Sequence, residues 1–146
     1  MAALKNISKE DAVTVASPPK VGPLGYWVGC FKKYAAFSGR ARRAEYWWFT
    51  LFNLLAYALV LGVAHLVSNG TDSRAAIFGV FIAVYLLAVL LPSLAVTVRR
   101  LHDANLSGAW FLISLVPGLS IVVFIMTLLP GTAGPNKYGP DPRQVA

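Results

Sequence analysis

Charge is scarce in this chain, and acidic charge most of all. Six acidic residues stand against thirteen lysines and arginines in 146 residues, and charged residues of both signs make up only 13%. Ordinary soluble domains carry about 25%. With 57% hydrophobic residues and a mean hydropathy of +0.61, so small a domain has too little polar surface to cover its apolar side chains in water. That balance excludes a soluble globular enzyme, a disordered tail and a coiled coil. A single cysteine, Cys30, excludes an internal disulfide framework and any Cys-x-x-Cys metal site. The two histidines, His65 and His102, fall at opposite ends of the predicted bundle and cannot share an ion within one chain. No metal and no cofactor is expected.

What the sequence does have is apolar runs. Three are free of Asp, Glu, Lys and Arg: 47–68 (22 residues), 75–98 (24 residues) and 109–130 (22 residues). A helix of 22 residues is about 33 Å long, against a hydrocarbon core of about 30 Å. Backbone in lipid must satisfy its own hydrogen bonds, so each run is expected to be helical. The predicted fold is therefore all-α, an integral membrane bundle of three transmembrane helices. Mild polar residues such as Asn53, Ser93 and Thr97 interrupt the runs, and no intramembrane charge marks an ion route. Pro92 is expected to bend the second span, with Ser93 or Thr97 helping to satisfy the freed carbonyl. Ala58 with Gly62, and Ala75 with Gly79 and Ala83, form small-residue stripes that suit close helix packing, internally or in a homo-oligomer.

Residues 1–23 are polar and proline-broken and are read as a flexible leader, without the apolar core of a signal peptide. Eight Lys or Arg precede the first span, one follows it, two follow the second span and two lie in the tail. The positive-inside rule then places the N-terminus in the cytoplasm. With three full spans the C-terminus lies outside. Pro117-Gly118, in the middle of the third run, leaves an alternative: a kink in a full span, or a re-entrant hairpin that returns the tail to the cytoplasm.

Before the first span, Trp27, Phe31 and Tyr34 recur at helical spacing with Cys30 on the same side and Lys32 and Lys33 turned away. This pattern predicts an amphipathic helix over 24–37 lying in the membrane interface. Ser38 or Gly39 reads as the start of the next helix, with Arg40, Arg42, Arg43 and Glu45 in its first turns. An acid among bases at the hydrocarbon boundary needs a cation. If the first two spans are antiparallel, Arg99, Arg100, His102 and Asp103 face this segment. Glu45 then pairs with Arg99 or Arg100, and Asp103 with Arg40, Arg42 or Arg43. Such a cluster either closes the bundle or holds the phosphate of an anionic phospholipid, since arginine forks match phosphate oxygens. His102-Asp103 near Ser107 also has the residue types of acid–base and nucleophilic chemistry, but such a triad is defined by geometry and not by adjacency; Ser107 is read instead as the N-cap of the third span. Residues 131–146 are Pro/Gly-punctuated and read as a turn-rich tail.

Three stretches together resemble the bacterial inner-membrane family known as domain of unknown function 805, which includes the YhaH-like proteins. They are Tyr34 with Phe37–Arg40 and Arg43–Trp47, then Arg99–Asp103 with Ser107-Gly108 and Trp110, then Asn136–Pro142. The resemblance covers residues 25–142 and implies a small multi-pass inner-membrane protein with no established reaction. Read together, the residues predict a non-catalytic scaffold or accessory component, with a small oligomeric transporter or channel as the alternative. Its partners are the lipid bilayer and a second copy of the chain, with no nucleic acid.

Overall fold

The computed structural model describes residues 21–68 and 72–145. The predicted 1–23 leader lies outside these apart from its last three residues. Helix α1, Pro23–Lys32, opens on a proline in its first turn, where the missing N–H has no intrahelical role to lose. Helices α2, Arg43–Ser68, and α3, Asp72–Asp103, contain the first two apolar runs. At 26 and 32 residues they are about 39 and 48 Å long, so both outrun a hydrocarbon core of about 30 Å. Each is long and apolar enough to cross a membrane.

Burial is inverted relative to a water-soluble protein. Leu54, Leu55, Leu59 and Leu66 on α2 and Val80, Phe81, Val84 and Leu87 on α3 are all more than half exposed. The buried residues gather at one end, where Cys30, Ala41, Phe49 and Val96 form a core with Trp27, Phe31, Tyr46 and Val89 packed against it. An apolar outer wall above a polar, buried end is the distribution that hydrocarbon favours and water opposes. Within the wall the polar groups are paired. The Tyr85 hydroxyl donates to Asn53 Oδ1 at 2.9 Å, and Asn53 Nδ2 donates to the Phe49 carbonyl at 2.7 Å. Pro92 is fully buried inside α3 and does not end it. The Thr97 hydroxyl donates to the Ser93 carbonyl at 2.7 Å, five residues beyond the Ala88 carbonyl that a proline at 92 leaves free, so this bond is not the one expected of it. Ala58, Gly62, Gly79 and Ala83 are exposed, and a Cβ on Gly62 or Gly79 would meet nothing within 4 Å. These four residues of the small stripes therefore do not pack within one copy.

Three expectations change. The third run, 109–130, is not one helix. It forms a 3-10 helix, Gly108–Leu115, and then α4, Ser120–Leu128. These arms of 8 and 9 residues span about 16 and 14 Å, each about half of a hydrocarbon core. Between them Pro117 cannot extend a helical hydrogen-bond ladder, and Gly118 sits at φ +85°, open to glycine and strained for other residues. The chain turns back here. Both outer ends of the hairpin meet the C-terminus of α3: Leu106 N–H donates to Leu101 O and Thr132 N–H to Asp103 O, each at 2.9 Å.

The amphipathic segment is also shorter than 24–37. It stops at Lys32, and its Trp27, Cys30 and Phe31 face is packed against the core, while Tyr34 lies beyond the helix and is exposed. Finally, α2 starts at Arg43 and not at Ser38 or Gly39. The Ala41 N–H donates to the Arg99 carbonyl at 3.0 Å, which holds the strand of chain before α2 along the end of α3. The tail is less loose than its composition suggests, closing Asn136 against Gly139 and ending in α5, Pro142–Val145.

Cys30 reports on this core. Its thiol is fully buried and donates to Glu45 Oε1 at 3.8 Å. Burial first, and then the Glu45 charge, push the thiol up to about 12. Detergent-purified protein at pH 8 should therefore resist maleimide until it unfolds. A thiol with a raised folded pKa contributes stability below its unfolded value of 9.0, and loses it as the pH climbs toward 12. The Tm difference between wild type and Cys30→Ala should shrink over that alkaline window.

Candidate functional site

The residues singled out for the polar cluster, Arg40, Arg42, Arg43, Glu45, Arg99, Arg100, His102 and Asp103, lie at one end of the molecule. The centre is Asp103, in the last turn of α3 and 5% exposed. Arg40 Nε donates to its Oδ1 at 2.9 Å and Arg100 Nη1 to its Oδ2 at 2.6 Å. The side chains of Arg40 and Arg100 are 1% and 0% exposed. Of the partners expected for Asp103, Arg40 is the one found, and Arg100, three residues back on the same helix, joins it. Gly131 closes over this carboxylate so tightly that a Cβ there would fall 2.1 Å from Asp103 Oδ2. No larger residue fits without displacing the acid.

The remaining nitrogens of both arginines go to main-chain carbonyls of the end of the third apolar run and the start of the tail. Arg40 Nη1 and Nη2 donate to Gly134 O and Thr132 O, both at 2.6 Å. Arg100 Nε donates to Thr127 O at 3.0 Å, and Nη2 donates to Leu129 O. The latter two carbonyls belong to the last turn and C-cap of α4, which have no intrahelical partner and carry the negative end of the helix dipole. Arg100 thus caps α4 from a different helix.

Glu45 is the second centre. Its Oε1 lies 3.1 Å from Arg99 Nη2, 3.9 Å from Lys33 Nζ and 3.8 Å from the Cys30 sulfur, so one carboxylate oxygen joins α1, α2 and α3. The pairing of Glu45 with Arg99 is one of the two the sequence leaves open. Arg42 donates from Nε to the Pro142 carbonyl at 2.6 Å, with Nη2 on the same oxygen, and the more exposed Arg43 donates from Nε to Leu129 O at 3.2 Å.

His102 is occupied by the tail. Its Nδ1 donates to the Gly39 carbonyl at 3.1 Å, and its ring stacks on Tyr138 with centroids 3.7 Å apart and planes within 5°. Asn136 Nδ2 donates to the His102 carbonyl at 2.9 Å and its Oδ1 accepts from Tyr138 N–H at 2.9 Å. Ser107 caps the 3-10 helix, its Oγ accepting from Ala109 N–H at 3.3 Å. His102 and Ser107 therefore have separate structural engagements. Among the described residues no group of His, Cys, Asp and Glu is arranged to hold a metal ion.

Asp141 and Arg143 are members of the site that residue-by-residue reading missed. Asp141 is 3% exposed and accepts from Arg143 Nη2 at 2.8 Å, Arg143 N–H at 2.9 Å and Gly134 N–H at 3.3 Å. The hydrogen bond from the Arg143 side chain holds the Asp141 carboxyl well below the usual carboxylate range, helped by the two main-chain N–H groups and opposed by burial. The only signal in the sequence was the regularity of Asn136–Pro142.

The family described as "Protein of unknown function (DUF805)" matches residues 34–140, which include Arg40, Asp103 and the Asn136–Gly139 turn. Two similar proteins of Escherichia coli (strain K12) are named inner membrane proteins. YhaI is 41% identical over 82% of this chain and 97% of its own, and YhaH is 36% identical over 82% and 98%. The uncharacterized protein YiiR of the same organism is 31% identical over 75% of this chain and 88% of its own. No solved structure matches the chain.

Two outcomes follow from the site. Asp103→Asn leaves two buried guanidiniums without a counter-charge, and removing one partner of a buried ionic group typically costs about 3–5 kcal/mol. Thermal unfolding in detergent should show a large drop in Tm, against a small one for Lys33→Ala at the exposed rim. The second outcome concerns acid. A carboxyl whose folded pKa is depressed contributes stability above its unfolded value of about 3.9, and loses it as the pH falls further. The Tm gap between wild type and Asp141→Asn should be constant from about pH 8 to 5 and narrow below about pH 4.

Proposed function

The chain belongs to the DUF805 family, and from that membership we propose a multi-pass protein of the bacterial inner membrane acting as a non-catalytic scaffold or accessory component. One observation carries the reading: the charged chemistry of the polar end is spent on itself. The Asp103 carboxylate is held by two buried arginines whose other donors bind main-chain carbonyls of the returning hairpin and tail. A site built to turn over a substrate leaves its reactive groups approachable. This one uses them to lock the chain before α2, α3, α4 and the tail together.

In the proposed topology α2 and α3 cross the bilayer, and the third apolar run enters and leaves by the cytoplasmic face. The charge distribution supports it. With two crossings, all basic residues except Arg74 fall on one side, which is twelve of thirteen. A third crossing would move Lys137 and Arg143 outside together with Arg74, and would require Thr132 and Gly134 to leave Arg40. On this reading α1 lies in the cytoplasmic interface, its packed face inward and the exposed Leu24 and Val28 toward acyl chains. The outward small-residue stripes of α2 and α3 offer a face for a second copy.

Reporter fusions test the proposal. A fluorescent protein fused after residue 146 should fluoresce, and alkaline phosphatase fused there should be inactive, because both ends lie in the cytoplasm. The opposite pair of results restores three crossings. Lysine-reactive cross-linking in intact membranes should recover a second copy or a stoichiometric partner. A chain that stays a lone monomer there, yet carries solute across vesicles, would replace the scaffold with a transporter.

A further inference from the structure

Six arginines meet three carboxylates at the polar end. Arg40 and Arg100 share Asp103, Arg99 holds Glu45, and Arg143 holds Asp141. Arg42 and Arg43 form no ion pair with any described residue. Arg42 places two of its nitrogens on one carbonyl, Pro142 O, and Arg43 gives only Nε, to Leu129 O. These two and Arg143, whose side chain is 56% exposed, line a groove of about 370 Å³. Its other walls are uncharged, at Ala44, Pro130, Gly131 and Pro142, apart from Asp103, whose charge is already held by Arg40 and Arg100.

Three arginines lining a groove of this size, two of them without a counter-charge among the described residues, give it a net positive charge that an anion would balance. Guanidinium forks match the oxygens of a phosphate better than they match a monatomic anion. Arg43 and Ala44 form the first turn of α2, whose main-chain N–H groups add the positive end of a helix dipole. Leu128 and Leu129, next to Pro130 in the chain, are exposed and apolar. A phosphate carried on a lipid would therefore find an acyl-compatible surface beside its head group.

We propose that the groove between Arg42, Arg43 and Arg143 binds a phosphate oxyanion, presented either by an anionic phospholipid head group or as a free phosphate. This corrects the wider arginine set that sequence alone suggests for lipid binding, because Arg40, Arg99 and Arg100 are buried and engaged inside the protein. It deepens the scaffold reading by giving the closed end an exposed anion site, and it rests on that reading only for the assignment of the buried arginines.

The test uses the full chain in neutral detergent. Thermal unfolding is followed with dioctanoyl phosphatidylglycerol, with dioctanoyl phosphatidylcholine, and with sodium phosphate against sodium chloride at equal ionic strength. Phosphatidylglycerol should raise Tm where phosphatidylcholine does not. Arg43→Gln should weaken that apparent affinity about tenfold, the loss expected for one charge-assisted hydrogen bond, and leave the unliganded Tm near wild type. A rise with inorganic phosphate and none with phosphatidylglycerol assigns the site to a soluble phosphate compound. No rise with either over its control, or undiminished affinity in Arg43→Gln, overturns the proposal. Should Arg43→Gln unfold on extraction, Arg43→Lys, which keeps the charge and loses the fork, is read for the same loss. Failure of bundle closure is seen separately, as an unchanged unliganded Tm in Asp103→Asn.

Discussion

The burial of Asp103 between Arg40 and Arg100 is the constraint on which the rest of the structure depends. Taking three charges out of water is costly unless each is paired and every remaining donor is satisfied. Asp103 can pair both arginines, but a guanidinium has five N–H groups. The surplus donors must find acceptors in a region that holds three carboxylates for six arginines. Main-chain carbonyls supply them. Thr127, Leu129, Thr132 and Gly134 are drawn to the end of α3 because two buried arginines there need oxygen.

The same constraint sets the shape of the third apolar run. A helix that stops inside an apolar environment exposes carbonyls that water cannot reach. α4 ends at Leu128, and the carbonyls of Thr127 and Leu129 are met by Arg100. The short α4 and the buried Arg100 each relieve the other's unsatisfied groups. A straight span through 109–130 would break both halves of that exchange, leaving Arg100 with Asp103 alone.

Much of the architecture was legible in the sequence, because it follows from rules that act residue by residue. Run length and the absence of charge gave α2 and α3. Antiparallel placement of two spans was enough to bring Arg40–Glu45 opposite Arg99–Asp103, and the Glu45–Arg99 and Asp103–Arg40 pairs were both among the expected ones. What was illegible depended on main-chain atoms. Carbonyls occur at every residue, so nothing in the letters Thr-Leu-Leu-Pro-Gly-Thr marks them as arginine ligands. Pro117-Gly118 is compatible with a kink or a reversal, and the choice was made by Arg40 and Arg100 far along the chain. The start of α2 was misplaced for a similar reason: Ser38 and Gly39 are good capping residues, but the Ala41 N–H is taken by the Arg99 carbonyl.

The arginines also show why counting basic residues is a poor guide to what a membrane-face cluster binds. Arg40, Arg99 and Arg100 carry the same guanidinium group as Arg42 and Arg43, yet burial and pairing make them part of the protein's interior. An arginine that its own protein has both buried and neutralised has little left to offer an outside anion. Two of the three acids of this end neutralise buried arginines, Asp103 holding Arg40 and Arg100 and Glu45 holding Arg99, while Asp141 in the tail pairs with Arg143 at the surface. Acid scarcity, the first feature of the composition, therefore has a positive consequence. With so few carboxylates available, the arginines left over face outward, and the charge that remains for an outside partner is concentrated at the mouth of one groove.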